Sequence, residues 1–579
     1  MLLRMSTLFL RTLRADPAGA EAPSHRLLLR AGYLRRVASG GYAYLPLGMR
    51  VLERIAAAVR AEMTAIGGQE VLLPILLPTE PYQTSGRLAE FGELAFRLQD
   101  RRGAPHLLAP THEEPITQLV KELCSSYRDY PVILYQLQTT FRDETRPRGG
   151  LLRSRESLMK DSYSFAVDAD GMADAYAAHR AAYQRVIERL ELPYTVVLGR
   201  SGIIGAARSE EFLVDSPAGE ETFVGCRWCG YAANTEAVTT PTPPATDPAT
   251  ADPLMVHDTP DTPTIESLVA LANQRRLAGR ADWTAADTLK NVVVEVRRHP
   301  DADAELVVIG IPGDRELDLK RLAAALYPAT VTLFEDWESR PDLVRGYLGP
   351  QGLAERGVRY LADPRVVPGS AWLTGANQPG RHATNVVCGR DFVPESTIEA
   401  ATVRTGDPCP ACAHGTLDLR RGIGIGYLGQ LGRRFSDQLG LEALGPDGTA
   451  GPVWMGSYRL GVSRLLAAVA EQHHDDAGLA WPTTAAPCAL HLVPTGRTQL
   501  AAAEELAQQL VDRGLSVLLD DRPGVSAGVK FTDAELLGIP HTVVVGRRLT
   551  DGLVELRERR SGHRREVPLA EVWEHLRAQ

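Results

Sequence analysis

Two Cys-x-x-Cys pairs constrain the fold of this chain more strongly than any other feature of its sequence. The pairs are Cys226-Arg227-Trp228-Cys229 and Cys409-Pro410-Ala411-Cys412, and about 180 residues separate them. Four thiolates in two such turns match a tetrahedral structural zinc site if folding brings the pairs together; two separate pairs of reduced thiols are the alternative. If the pairs meet, the residues between them form an insertion whose two ends lie side by side.

The use of cysteine also indicates a cellular compartment. The chain has seven cysteines in 579 residues, and four of them belong to these pairs. This pattern favours metal binding over a disulfide framework, and therefore a reducing compartment. We expect a cytoplasmic protein.

The segment between the pairs has the pattern of a separate module. A tether rich in proline and threonine, Thr239 to Pro248, is followed by alternating helical and strand-like runs. The runs are Ile265 to Leu277, Thr288 to Val296, Leu306 to Ile311 and Leu317 to Leu326. They predict an α/β module, in which Lys290 lies at the mouth of a strand and Gly346 to Pro350 form a tight loop. Lys290 is either a functional cation or an ordinary charge at a strand edge.

Length and hydropathy exclude several classes of protein. A chain of 579 residues is too long for one core and predicts roughly three to four domains. No run of about 18 apolar residues occurs, so no membrane span is expected. Charge interrupts the apolar start, which lacks a small-residue cleavage site, so no signal peptide is expected. The formal net charge of -9 argues against indiscriminate polyanion binding and still permits a local basic surface.

A hairpin with a basic tip is the first candidate for a binding site. Strand-like runs from Ile133 to Phe141 and from Leu158 to Phe165 flank a Pro/Gly turn that is rich in arginine. Side chains two residues apart share a strand face, which places Arg142 beside Glu144. An arginine held there can offer its planar fork to a carboxylate or a phosphate. An exposed, charged hairpin is the alternative.

Several other stretches predict elements of the same region. Residues 24–38 and 51–66 have helical spacing, with Leu52, Ile55, Val59 and Met63 on one face of the second helix. Glu70 to Pro78 predicts a buried strand whose prolines suit a sheet edge or a subunit boundary.

Two helix starts carry candidate site residues. Thr111-His112-Glu113-Glu114 opens a helix, where Thr111 and the glutamates either cap the helix or face a substrate ammonium. Arg464 lies in the first turn of a helix that follows a strand, after the glycine-rich strand Arg420 to Gly432, and could bind a triphosphate. Residues 487–579 alternate strands and helices and carry late basic residues, which form either a solvated face or a surface for a polyanion.

The order of these stretches resembles bacterial-type prolyl-tRNA synthetases, which are class II aminoacyl-tRNA synthetases, over essentially the whole chain. The three class motifs correspond to the helix and strand that end at Pro74, to Phe141-Arg142-Asp143-Glu144, and to the helix with Arg464. Thr111 to Glu114 resembles the proline-binding segment of the family. Residues 487–579, with Asp520 to Val525 and Gly528 to Phe531, resemble its anticodon-binding domain.

The resemblance implies an α/β multidomain fold. It places a class II antiparallel-sheet catalytic domain in residues 1–222 and 409–484. An α/β editing domain, flanked by the two Cys-x-x-Cys pairs, is inserted as residues 223–408. An α/β anticodon-binding domain occupies residues 485–579. The family forms prolyl-adenylate from proline and Mg-ATP, transfers proline to tRNA(Pro), and is homodimeric.

The resemblance also implies roles for individual residues. Arg142 would contact the amino acid carboxylate and the ATP α-phosphate, Glu144 the adenine side and Arg464 the γ-phosphate. Arg153 would belong to the same ATP site. Thr111 and Glu113 would hold the proline ring nitrogen, with Tyr427 and Ser457 in the amino acid pocket.

The resemblance also implies a second site, which hydrolyses alanine that has been attached to tRNA(Pro) in place of proline. Alanine is smaller than proline by about two methylenes, worth roughly 0.8 kcal/mol each, so a proline pocket rejects it only about tenfold to a few hundredfold. The positions that match the family's editing pocket carry the family's residue types; they are Lys290, Gly346, Gly349, Asp363 and His382.

The chain departs from the family pattern around the synthetic site. Ser157 replaces the phenylalanine that stacks on adenine, and Gly424 replaces a metal-binding glutamate. Tyr427 and Gly429 alter the amino acid pocket, and Arg459 replaces a glycine. The run Ala206-Ala207-Arg208 also differs from the usual small residues.

Three hypotheses follow from these departures. The first is an active prolyl-tRNA synthetase with a remodelled pocket, which could tolerate an inhibitor. The second is a divergent hydrolase with weakened activation that deacylates Ala-tRNA(Pro) in trans. The third is a paralogue that acts outside translation, binding tRNA or activating another small amino acid.

Overall fold

The computed structural model describes residues 1–199, 208–298 and 302–577. They form two compact units. The first contains Met1–Val196, the described part of 203–221, and Arg421–Gln579; the second contains Thr222–Arg420 and a short segment that begins at Val197. Within the described ranges, every helix is too short or too polar to cross a membrane.

An antiparallel sheet forms the centre of the first unit. Its hairpin, made of Val132–Phe141 and Glu156–Ala166, is the one predicted from the sequence. The Arg459 strand, Trp454–Gly461, pairs with the second hairpin strand. On its other side it pairs with the glycine-rich strand, Leu417–Gly432, which carries the chain from the second unit into the first. Arg208–Asp215 extends this sheet beyond the glycine-rich strand, and Gln69–Glu70 pairs in parallel with the first hairpin strand.

Three helices cover one face of this sheet, and the side chains of the site lie on the opposite face. Pro46–Ala65, Ala169–Arg189 and Val462–Gln472 bury apolar faces in a shared core. Leu52, Ile55, Val59 and Met63 are all buried, as their spacing predicted. Proline opens the first of these helices, where its missing N–H costs nothing.

Alternation along the second hairpin strand shows which residues face the helices. Lys160 is buried against the Tyr183 hydroxyl of Ala169–Arg189. Because neighbouring residues of a strand point to opposite faces, Asp161 faces away from the helices.

Two predicted elements near the N-terminus were wrong. Residues 24–38 form a helix only over Pro23–Arg30, and Gly32 adopts a positive φ before a strand at Leu34–Ala38. The run from Glu70 to Pro78 is not one buried strand, because strand structure is confined to Gln69–Glu70 and Leu76–Pro78. Leu72 is 74% exposed.

Smaller elements complete the first unit around this sheet. The helices are Glu80–Thr84, Arg87–Phe91, Glu113–Leu123 and Arg434–Leu439. The strands are Gly41–Tyr44, Arg97–Gln99, Pro105–Leu108, Glu442–Leu444 and Ala450–Pro452.

The C-terminal module has its own sheet and core. Its strands lie in the order Leu2–Arg4, Val517–Leu519, Leu490–Pro494, His541–Val545, Leu553–Glu558 and Arg564–Pro568. The first four run parallel and the last two antiparallel. Its helices are Arg497–Asp512, Ala527–Leu537 and Val572–Arg577. The N-terminal strand Leu2–Arg4 therefore belongs to a sheet built mainly from the end of the chain.

The second unit is an α/β module, as the sequence predicted. One sheet has the order Thr330–Leu333, Leu289–Arg297, Glu305–Pro312, Arg359–Ala362 and Ser396–Thr397. Another has the order Met255–Asp258, Arg381–Val387 and Ala371–Gly375. Helices Ile265–Arg275 and Leu319–Leu326 belong to this unit, and a short hairpin of Glu221–Cys226 and Ala232–Asn234 carries the first cysteine pair.

Candidate active site

A cavity of about 220 Å³ opens on the face of the central sheet that carries Asp161 and Arg459. It brings together most of the synthetic-site residues that the sequence analysis singled out. These are Arg142, Glu144, Arg153, Ser157, Gly424, Tyr427, Arg459 and Arg464. The hairpin, the glycine-rich strand, the Arg459 strand and the helix Val462–Gln472 each contribute to this lining.

Arg142 is the cation best placed to bind an anion. It follows the first hairpin strand directly, and its guanidinium has no hydrogen bond or ion pair with the part of the chain that the structure describes. Burial, together with the nearby guanidinium groups of Arg459 and Arg464, lowers the pKa of Arg142 to about 10. The group is still charged at neutral pH, so an anionic ligand would relieve this repulsion.

Arg464 lies in the first turn of Val462–Gln472, as predicted. Its Nη1 donates a hydrogen bond to the Gly424 carbonyl at 2.8 Å. The free N–H groups at the start of a helix add to the positive potential at this end of the cavity.

Glu144 and Arg153 are paired with each other. The Arg153 Nε donates to Glu144 Oε2 at 2.8 Å, and its Nη1 donates to Glu220 at 2.9 Å. The carboxylate predicted to face adenine is therefore oriented by a neighbouring arginine on the turn of the hairpin.

Thr111, Glu113 and Ser457 belong to a buried network that does not line the cavity. Glu113 accepts hydrogen bonds from Ser457 Oγ and from Arg87 Nη1, both at 3.0 Å. Arg87 also donates to Thr111 Oγ1 at 3.0 Å and to Glu114. Burial alone would raise the pKa of Glu113, but Arg87 and Arg459 lower it to about 2. The network thus keeps Glu113 ionised next to the cavity.

Tyr427 and Gly429 occupy one face of the glycine-rich strand and are adapted to each other. A Cβ atom on Gly429 would lie 2.5 Å from the Tyr427 hydroxyl and 2.9 Å from its Cε1. The ring of Tyr427 therefore fills the space that any side chain at position 429 would need.

The second unit holds a larger cleft of about 1350 Å³. Lys290, Gly346 and His382 line it, whereas Gly349 and Asp363 do not. Lys290 Nζ donates to Glu316 Oε1 at 2.8 Å. Gly349 N donates to Asn377, and Asp363 is fully buried beside Arg365, at 3.0 Å from its Nη1.

His382 is a neutral group in this cleft at neutral pH. Its Nδ1 lies 2.7 Å from the hydroxyl of buried Thr259. Burial lowers the pKa of His382 to about 4. An uncharged imidazole of fixed orientation can hydrogen-bond a ligand without adding charge.

The two cysteine pairs meet. The four Sγ atoms lie within 4.8 Å of one another, with Cys226 and Cys412 at 3.8 Å and Cys229 and Cys409 at 3.7 Å. These separations are too long for disulfide bonds and are close to the edge of a ZnS₄ tetrahedron with Zn–S bonds of about 2.3 Å. A Cβ atom on Gly415 would lie 2.3 Å from the Cys226 sulfur, so glycine is needed beside the cluster.

Four residues near the sites were not singled out from the sequence: Arg87, Asp161, Glu211 and Glu221. Glu211 and Arg87 are recognisable only through partners that lie far away in the chain. Alternation along the second hairpin strand offered one signal, since it places Asp161 on the same face as Ser157. Ala206 and Ala207 lie outside the described residues.

Two family models match the chain. The tRNA synthetase class II core domain (G, H, P, S and T) matches residues 96–473, and the anticodon binding domain matches residues 490–579. Together with the sheet and its cavity, these matches define a class II tRNA synthetase.

Curated relatives narrow the assignment. The proline--tRNA ligase of Salinispora arenicola is 63% identical over 577 residues, which cover 100% of this chain and 99% of the relative. That of Acidothermus cellulolyticus is 57% identical over 580 residues, with 100% and 99% covered. That of Mycobacterium tuberculosis H37Rv is 56% identical over 571 residues, with 98% and 97% covered. The chain belongs to the bacterial-type proline--tRNA ligase family, as the resemblance predicted.

A solved structure shares the fold. The Giardia lamblia prolyl-tRNA synthetase in complex with prolyl-adenylate matches with a TM-score of 0.57 and 15% sequence identity. The match covers 95% of this chain and 77% of that chain. It confirms the class II fold.

Proposed function

We propose that this chain ligates proline to tRNA(Pro): it activates proline with ATP to prolyl-adenylate and then transfers the prolyl group to the tRNA. The observation that carries the proposal is the shared cavity of Arg142, Arg459 and Arg464 within a class II core. Activation brings a carboxylate oxygen onto the α-phosphorus while pyrophosphate leaves, and buried guanidinium groups offset the repulsion between these anions.

The residues of the cavity divide this work by position. Arg142, which has no protein partner among the described residues, receives the carboxylate and the α-phosphate. Arg464 receives the terminal phosphate at the start of its helix. Glu144, oriented by Arg153, accepts hydrogen bonds on the adenine side, where Ser157 offers no aromatic surface. Tyr427 lines the amino acid end, and the buried network of Thr111, Glu113 and Ser457 supports it from behind the lining.

The chain also offers ligands for the divalent ion that accompanies ATP. Gly424 has no side chain, but Glu211 and Glu221 line the same cavity, and Glu221 Cγ lies 3.6 Å from the position of a Cβ on residue 424. Carboxylate oxygens are the ligands that Mg²⁺ prefers, so these residues fit the ion. When bound, Mg²⁺ would supply positive charge to the phosphates.

The second unit is proposed to hydrolyse Ala-tRNA(Pro). Its cleft is large enough for the end of a charged tRNA, and Lys290, Gly346 and His382 line it. Gly349 and Asp363 would support this site from behind. We assign residues 1–222 and 409–484 to the catalytic domain, 223–408 to editing and 485–579 to anticodon binding.

Structural zinc belongs to the same proposal. Cys226, Cys229, Cys409 and Cys412 have the donor type and the separations that Zn²⁺ requires. The Ala411 N–H also points at Cys409 Sγ, 3.4 Å away, as backbone groups do around thiolates. The ion would join the two ends of the insertion.

We further propose a cytoplasmic homodimer. None of the seven cysteines forms a disulfide, which suits a reducing compartment. The exposed side chains of Leu72, in the first class motif, and of Leu76, just after it, are apolar surface suited to a second copy.

Two assays read the two sites independently. Pyrophosphate exchange with proline, and with alanine as the competing substrate, measures activation; hydrolysis of Ala-tRNA(Pro) measures editing. Arg142→Ala is expected to lower exchange about 10²- to 10³-fold and to leave hydrolysis unchanged. His382→Ala is expected to do the reverse. Hydrolysis without proline-dependent exchange would favour the hydrolase hypothesis and overturn the proposal.

A further inference from the structure

Arg459 lies in a row of side chains that crosses the central sheet. Across neighbouring strands, Glu211 is opposite Tyr427, Tyr427 is opposite Arg459, and Arg459 is opposite Asp161. Directly opposite residues of antiparallel strands share one face. Since Lys160 faces the helices, this row faces the cavity.

The orientation of the Arg459 side chain is fixed before any ligand binds. Its Nε donates to Asp161 Oδ1 at 2.8 Å, and its Nη2 lies 3.5 Å from the Pro110 carbonyl. The two side chains of the ion pair are only 6% and 1% exposed. Among the described residues Nη1 has no hydrogen-bond partner, so one edge of the planar guanidinium remains for a ligand.

The cavity holds positive charge that its own carboxylates do not bind directly. Arg142 is unpaired within the described ranges, and Arg464 uses a backbone carbonyl. Glu144 is taken up by Arg153. Glu211 and Glu221 also line the cavity, and Glu221 lies near Arg464, since both approach the position of a Cβ on residue 424 within 4 Å. Three guanidinium groups in about 220 Å³ therefore favour a ligand with more than one anionic group.

The surroundings of Arg459 indicate which anionic group it binds. Ser457, two residues earlier on the same strand, donates to Glu113 at 3.0 Å. The carboxylate of Glu113 does not line the cavity, but it lies behind this end of the site and adds negative potential near the fixed guanidinium. An amino acid carries an ammonium and a carboxylate on one carbon and matches such a pair of potentials, whereas phosphates match the guanidinium groups of Arg142 and Arg464.

We propose that Arg459 is a specificity-determining residue of the active site: its guanidinium, held by Asp161, is a second contact for the carboxylate of the amino acid, beside Arg142. The inference rests on the proposed activation of proline. It adds Arg459 to the residues that contact the amino acid, and it adds a requirement on the substrate. The substrate must present a free carboxylate at the Tyr427 end of the cavity.

Calorimetric binding of L-proline, L-prolinol and ATP to the full chain tests this inference. Prolinol keeps the ring and the amine but lacks the carboxylate. Arg459→Met with Asp161→Asn removes the ion pair without leaving a buried charge. We expect this double variant to bind L-proline about 10- to 100-fold more weakly, and prolinol and ATP within about threefold of the unchanged chain. Arg459→Lys should retain most of the affinity for proline.

Controls separate this role from a structural one. Arg433→Met with Asp437→Asn removes an exposed ion pair of the same type and should leave all three affinities unchanged. Equal losses for proline and prolinol would overturn the inference, because packing would then explain them. If the double variant bound proline as tightly as the unchanged chain, the inference about Arg459 would be overturned and the proposed function would stand. If the unchanged chain bound ATP but not proline, both the inference and the proposed function would be overturned.

Discussion

At the scale of single residues, buried charges in the first unit are matched by partners that are distant in sequence. Arg87 has no exposed surface and binds Glu113, Glu114 and Thr111. Burial raises the pKa of Glu114, and Arg87 opposes that shift. One cation therefore supports two carboxylates beside the amino acid end of the site.

Loss of Arg87 should be severe. Arg87→Met leaves two carboxylates without their buried partner and is expected to lower the free energy of unfolding by about 3–5 kcal/mol. Urea denaturation followed by tryptophan fluorescence measures the change. Arg433→Met, at an exposed ion pair, is the matched control and should cost less than about 1 kcal/mol. Similar losses in both variants would contradict the role of the network.

Gly429→Ala tests the fit between residue 429 and Tyr427. The new methyl group would collide with the Tyr427 ring and displace it, at a cost of about 1–3 kcal/mol. We expect a higher KM for proline in pyrophosphate exchange and little change in the KM for ATP. In a chain that already carries Tyr427→Ala, the same substitution should have almost no further effect. Equal effects in both backgrounds would show that the two positions do not interact.

At the scale of elements, the sequence pattern predicted those helices and strands whose formation depends on neighbouring residues in the chain. The hairpin, the buried face of Pro46–Ala65 and the helix of Arg464 follow from periodicity and from charge at element junctions. Residues 34–38 carry the same apolar spacing as the helix before them. They form a strand because Gly32 turns the chain and Leu34–Ala38 pairs with Gly41–Tyr44. Propensity cannot anticipate such a pairing.

The site was predictable only in part for the same reason. Arg142 and Arg464 stand out because arginines at the ends of elements suggest ligand contacts. The partner of Arg459 could not be chosen from the sequence, since Asp161 lies 298 residues away. The buried ion pair of Glu113 could not be predicted either, because its partner Arg87 is a lone arginine that has no local signal.

The meeting of the cysteine pairs is an element-scale prediction that can be measured. Cys412→Ser should remove one equivalent of zinc per chain, read by mass spectrometry, and should increase hydrogen exchange in residues 222–237 and 405–418. Cys388→Ser, a buried thiol outside the cluster, is the control. Proline-dependent exchange of pyrophosphate should persist in both variants. Zinc retained at full occupancy in Cys412→Ser would contradict the four-thiolate site.

At the scale of the whole molecule, both units bury neutral histidines. Burial lowers the pKa of His382 in the second unit, and of His491 in the C-terminal module of the first, to about 4 in each case. An unfolded histidine has a pKa of about 6.5. The folded chain therefore binds fewer protons than the unfolded chain between these values.

Stability should fall as the solution is acidified within that window. Above about pH 6.5 both states are neutral at these residues and no stability is lost. From pH 6.5 down to about 4, each histidine costs about 1.4 kcal/mol per pH unit, because only the unfolded state gains the proton. Urea midpoints at pH 7, 6 and 5 measure the slope, and His491→Gln should reduce it. An unchanged slope in that variant would contradict the assignment.

The strand Leu2–Arg4 constrains the order in which parts of the chain can fold during synthesis. This strand lies at the edge of its sheet and pairs with Val517–Leu519. Its place in the sheet therefore does not exist until the ribosome has made more than five hundred further residues. Leu2–Arg4 thus reaches its final position long after these residues have left the exit tunnel. Completion of that sheet waits for the strands of the C-terminal module to be synthesised.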